Sequence, residues 1–77
     1  MIHVDVNMHG ELRRFLPDGA ASLRLALPDE TRVADLLERL QAQHDVWLAA
    51  IDNVAVPLSA RLNDGAAIDF FPHMEGG

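Results

Sequence analysis

The sequence predicts an α+β protein: one mixed β-sheet of four to five strands, packed on one face by a single main helix. Three observations predict it. Apolar residues alternate with period two at both ends of the chain, through Ile2, Val4, Val6 and Met8 and again through Ala66, Ile68 and Phe70. In the middle, Val33, Leu36, Leu37 and Leu40 repeat instead at i, i+3, i+4 and i+7, the spacing of one helical stripe. Turn-forming residues stand between these segments, and 77 residues leave room for one domain with one core.

Each element follows in order. The stretch I2-H-V-D-V-N-M8 is a half-buried strand, because its alternation puts four apolar side chains on one face. G10-E-L-R-R-F-L-P-D-G19 is a connection whose apolar trio, Leu12, Phe15 and Leu16, predicts a loop packed back on the core, with a helical turn over residues 11–15. S22-L-R-L-A-L27 alternates again, so the two strands form a hairpin. Pro28-Asp29 ends the second strand, and Thr31 is a suitable N-cap for a helix over residues 32–43, with Asp35, Glu38, Arg39 and Gln43 on its polar side. Short strands return at W47-L-A-A-I51 and V54-A-V56, joined by the turn pair Asp52-Asn53, and Pro57 confines the second to a sheet edge or a strand end. Trp47 reads as a packing residue at the helix-to-strand corner. Asn63-Asp64-Gly65 is a further turn, and A66-A-I-D-F-F71 is the last strand, with Asp69 and Phe71 opposite its apolar face and Pro72 closing it.

Two strands, a lone helix and two or three further strands make a β-grasp arrangement, with the last strand beside the first. The expected organisation is a domain over residues 1–72 and a flexible tail over residues 73–77.

Composition removes whole classes of function. Twelve acidic residues against six arginines give a net charge of −6, which repels phosphate backbones, so nucleic acid is not an expected partner. No cysteine is present, which excludes disulfides, thiolate metal sites and a cysteine nucleophile. The absence of lysine is explained by base composition; it also denies an activated carboxylate any ε-amine on its own chain. No apolar run approaches the roughly 20 residues of a membrane span, and no signal peptide precedes the first strand, so a soluble, cytoplasmic protein with no membrane partner is expected. His3, His9, His44 and His73 share no ligand spacing, and no metal site is expected. Ser22 and Ser59 have no evident base partner, and Asp5 and Asp69 read as a solvated sheet face rather than an acid–base pair.

The chain closes on F70-F-P-H-M-E-G-G77. Glycine loses more backbone freedom on ordering than any other residue, and two together at an end arise by chance in roughly one chain in 200. Residues 73–77, extended, reach roughly 17 Å beyond the last strand. Gly76 and Gly77 lack Cβ atoms, so they can enter a channel barely wider than a backbone, and no Ser, Thr, Lys or Cys on the string competes with the terminal carboxylate. Such a tail suits delivery of a carboxylate into another enzyme's active site.

The element order, the turn N63-D-G65, the strand I68-D-F-F71, the ending P72-H-M-E-G-G77 and the loop G10-E-L-R-R-F-L-P17 together resemble the small ubiquitin-like sulfur carriers, the MoaD and ThiS proteins of molybdopterin and thiamine biosynthesis. The resemblance covers essentially the whole chain. It departs from the commoner MoaD ending of two prolines, a branched apolar residue, a variable residue and Gly-Gly, because here Pro72 is followed by His73 and Met74; the turn between the middle strands, often Asn-Gly, is Asp52-Asn53.

The resemblance implies a carrier, not an enzyme acting alone. An adenylyltransferase similar to ubiquitin-activating enzymes would join Gly77 to AMP from ATP and Mg²⁺, a sulfur donor protein would convert it to a thiocarboxylate, and a sulfur acceptor such as the large subunit of molybdopterin synthase would consume the sulfur. The chain itself would hold no stable cofactor. Gly76 would serve threading of the tail, and Phe71, Met74, Leu58 and Phe15 are the candidate partner-binding residues; Phe71 either stands exposed or is covered by the long loop. Molybdopterin synthesis is the leading pathway, with thiamine, cysteine, tRNA thiolation and specialised metabolites open. A protein modifier ending on a target lysine and a plain interaction module are the other readings.

Overall fold

The structure, a computed structural model, describes residues 1–73. Its elements are strands β1 (Ile2–Met8) and β2 (Ser22–Leu27), helix α1 (Val33–Leu40), and strands β3 (Val46–Ile51), β4 (Val54–Val56) and β5 (Ala67–Pro72). They form one five-stranded sheet in the order β2-β1-β5-β3-β4. β1 pairs antiparallel with β2, from Ile2↔Leu27 to Asn7↔Ser22, and parallel with β5, from Asp5↔Ala67 to Met8↔Phe70. β3 is antiparallel to both β5 and β4. This is the mixed β-grasp sheet with one main helix, and β4 lies at an edge, where Pro57 loses no ladder hydrogen bond.

The core lies between α1 and one face of the sheet. Alternation sends Val4, Val6 and Met8 of β1, and Ile68 and Phe70 of β5, to that face, where Val33, Leu36 and Leu37 meet them. Leu12 and Leu16 of the β1–β2 connection are also buried, because the connection folds into 3₁₀ turns at Gly10–Phe15 and Pro17–Gly19 that lean back on the core. The predicted helical turn over residues 11–15 is present within the first of these.

The helix is shorter than expected, and its start is secured differently. It ends at Leu40 because Gln41 takes a left-handed φ of 60°, which turns the chain so that Ala42 is buried and its N–H reaches the Leu37 carbonyl. Arg32, not Thr31, sits at the N-cap position, and the Asp35 carboxylate accepts the Arg32 backbone N–H at 3.0 Å. Thr31 instead donates its hydroxyl to the Pro28 carbonyl at 2.6 Å. The free N–H groups of Val33 and Ala34 are satisfied by the carbonyls of Ala60 and Leu58, each at 2.9 Å, so a distant loop does the work of a capping side chain.

Two turns hold the sheet in register. Asp52 and Asn53 both have positive φ, 50° and 70°, between the closing pair Ile51↔Val54, the backbone that suits the twist of a two-residue hairpin. At the other turn Gly65 adopts φ 84° and donates to the His3 carbonyl at 2.7 Å, while the Asp64 carboxylate accepts the His3 N–H at 2.7 Å. The turn therefore clamps the start of β1 and delivers β5 into the centre of the sheet. Among the described residues, no helix is long and apolar enough to cross a membrane.

Candidate functional site

β5 is flanked by β1 and β3, so the segment that leads to the C-terminal residues emerges from the middle of the sheet. Met74, Glu75, Gly76 and Gly77 lie outside the described residues, and with them the predicted working group at Gly77, the threading residue Gly76 and the candidate contact Met74. What the structure defines is the platform from which they depart.

The open face of the sheet, opposite α1, is divided. On the β2–β1 side it carries Arg24, His3 and Asp5; on the β5–β3–β4 side it carries Phe71, Leu48, Ala50 and Ala55, which neighbour one another in the ladder register. Ala50 is buried yet stands outside the core cluster, as its position on this opposite face requires. Phe71 is half-buried here, directly across from Leu48.

The cover over Phe71 is His9, the first residue of the connection. Its ring lies parallel to the Phe71 ring, with centroids 4.5 Å apart and planes 6° apart, and its Nε2 is 3.0 Å from the Asp69 carboxylate. The His9 backbone N–H donates to the Phe70 carbonyl at 3.2 Å. Gly10 follows with φ 57°, and a Cβ there would stand 3.3 Å from Cγ of Pro72. Asp69 therefore pairs with His9 rather than with Asp5, which lies opposite Ala67. Gly10→Ala combines a left-handed φ with that close approach to a proline ring. It should cost about 1–2 kcal/mol, measured as a shift in the urea midpoint against the wild type.

The remaining candidate contacts are not gathered on this surface. Leu58 is half exposed, but its carbonyl accepts the Ala34 N–H in the first turn of α1, and α1 covers the face of the sheet opposite to the one that carries Phe71. Phe15 packs against the core cluster, with the Arg14 guanidinium 4.7 Å above its ring. Trp47 was expected to pack; instead it is 56% exposed. The cause is a bulge: Val46 pairs with Pro72 and Leu48 with Phe71, so Trp47 is an extra residue pushed out of the ladder beside the end of β5. His9, Leu48 and Trp47 thus join Phe71 near the departure point. No sequence signal singles out His9, because its partners lie 60 and 62 positions away.

Among the described residues no cluster of three or more His, Cys, Asp or Glu could hold a metal ion. No buried side-chain polar atom is left without a partner there.

The model of the ThiS family matches residues 6–77, a span that includes the terminal glycines. No curated protein matches. Several solved structures share the fold. A Pyrococcus furiosus protein described as molybdopterin converting factor, subunit 1, is 22% identical with a TM-score of 0.78, over 96% of this chain and 100% of that one. Small archaeal modifier protein 1 of Haloferax volcanii is 17% identical with a TM-score of 0.78, over 96% and 100%. The Haloferax volcanii HVO 2177 protein is 20% identical with a TM-score of 0.80, over 99% and 87%.

Proposed function

We propose that this chain, which belongs to the ThiS family, is a cytoplasmic sulfur carrier whose Gly77 carboxylate is the working group. The observation that carries the reading is the family match running through Gly76-Gly77, on a fold that sends its last strand out from the centre of the sheet. The Gly77 carboxylate attacks the α-phosphorus of MgATP in an adenylating partner and releases pyrophosphate. The resulting acyl adenylate is a mixed anhydride with AMP as its leaving group. A persulfide sulfur of the donor protein attacks the acyl carbon and displaces AMP; a second thiol then cleaves the sulfur–sulfur bond, leaving a thiocarboxylate on Gly77 and a disulfide on the donor side. ATP and Mg²⁺ belong to the partner. Docking uses the apolar half of the open face around Phe71, together with Met74, while Leu58 and Phe15 would contribute only to separate contacts. Molybdopterin synthesis is the proposed destination of the sulfur, with the large subunit of the synthase as acceptor. The likeness to a molybdopterin converting factor subunit supports this choice.

The experiment is the intact mass of the chain after incubation with its host's adenylating enzyme, MgATP and a sulfur donor, beside a variant lacking Gly77. The expected result is a gain equal to one oxygen exchanged for sulfur, localised to Gly77 and absent from the truncation. The likeness to small archaeal modifier protein 1 favours a second reading, in which the activated carboxylate ends on a target lysine. That outcome would appear as an isopeptide-linked mass in place of the thiocarboxylate. Neither product with the host's enzyme would leave an interaction module.

A further inference from the structure

We infer that the His9–Gly10 corner is a positioning device that fixes the direction in which the chain leaves the sheet, an inference that rests on the carrier reading above. The parallel ladder between β1 and β5 ends at Met8↔Phe70. Beyond it Phe71 and Pro72 have strand pairing on the β3 side alone, and there β3 is bulged at Trp47. A bulge bends and twists its own strand, here β3, so the direction of the exit residues is set by one side of a locally irregular ladder.

The corner supplies the missing side. It touches four successive residues of β5: the His9 side chain bonds Asp69 at 3.0 Å and stacks on Phe71 at 4.5 Å, its backbone N–H holds the Phe70 carbonyl at 3.2 Å, and Gly10 abuts Pro72. An imidazole has only two side-chain torsions, and stacking plus a hydrogen bond at the ring edge fixes both. The contacts are of little use to the core, since the His9 side chain is 45% exposed and exposed pairs of this kind add little to stability. Their consequence is local: Phe71 and Pro72 cannot swing about the end of the ladder. A strand end ordered in advance removes a cost that would otherwise fall on docking.

The test uses the full chain with its adenylating partner and follows pyrophosphate release against carrier concentration. His9→Ala should remain folded by circular dichroism and raise KM about tenfold at nearly unchanged kcat, inside the roughly 100-fold that a misplacement of about 1 Å can cost. A flexible Gly-Ser spacer inserted after His73 separates aim from contact. In that background His9→Ala should leave KM where the spacer alone puts it. In the free chain the ¹⁵N order parameter of the Phe71 amide should fall from the rigid range near 0.85 in His9→Ala.

An unchanged KM and order parameter in His9→Ala, with a wild type that is adenylated normally, would overturn the positioning role and leave the carrier reading intact. A His9→Ala defect that persists behind the spacer would also overturn it, because His9 would then act by touching the partner. A wild type that forms no adenylate would overturn the carrier reading and this inference with it.

Discussion

Phe70→Ala should leave little of the domain folded at ordinary temperatures. Phe70 is fully buried in the central strand, opposite Met8 of β1 and Ala49 of β3, and it is the largest side chain of the buried core. Truncating a buried phenylalanine costs about 3–5 kcal/mol, as lost transfer free energy plus the cavity left behind. A 77-residue chain has a total stability of order 5 kcal/mol. The loss is therefore comparable to the whole. Phe71, one residue on, provides the control: it lies on the open face and is half-buried, so Phe71→Ala should cost about 1 kcal/mol. Urea titrations of the two variants check the face assignment directly. A reversed order, with Phe71→Ala the costlier change, would mean that the register of β5 is wrong, since a slip of one residue exchanges the two faces.

Gly76→Val should leave stability unchanged and lower thiocarboxylate formation by at least about 100-fold. Valine adds a branched side chain where the carrier reading has a bare backbone enter the partner's active site, and it restricts φ at a position that must adapt to the channel. Gly76 follows β5 in the chain, and a wild-type melting temperature is part of the prediction. The measurement is the rate of appearance of the sulfur-for-oxygen mass shift under single-turnover conditions with excess adenylating enzyme. A rate within a few-fold of the wild type would show that the glycine is not required for threading. Gly77 could still be the reacting residue, because loss of the mass shift on deleting Gly77 tests that separately.

These predictions draw on two different kinds of information. The strands, the helix and the turns were legible in the sequence because each is set by short-range patterns. Alternation at Ile2 to Met8 needs only a strand beside a core, and the stripe through Val33, Leu36, Leu37 and Leu40 needs only a helix on one. The turn at Asp52-Asn53 was legible for a similar reason, since both residues tolerate the left-handed backbone that a two-residue hairpin demands.

The exit platform was not legible, because each of its contacts joins residues far apart in the chain. His9 meets Asp69 and Phe71 only after β1 and β5 have paired in parallel, and nothing in its own neighbourhood distinguishes it from His3 or His44. In the sequence Trp47 reads as a packing residue at the helix-to-strand corner; the bulge that expels it depends on how β3 meets the end of β5. The helix start was misassigned for the same reason, since the carbonyls that satisfy Val33 and Ala34 arrive from residues 58 and 60. Sequence alone thus determined which segments are strands and which is the helix. Tertiary structure alone decided which side chains surround the departing strand, because backbone propensity and hydrophobic period act over a few residues, whereas the pairing of β1 with β5 joins the two ends of the chain.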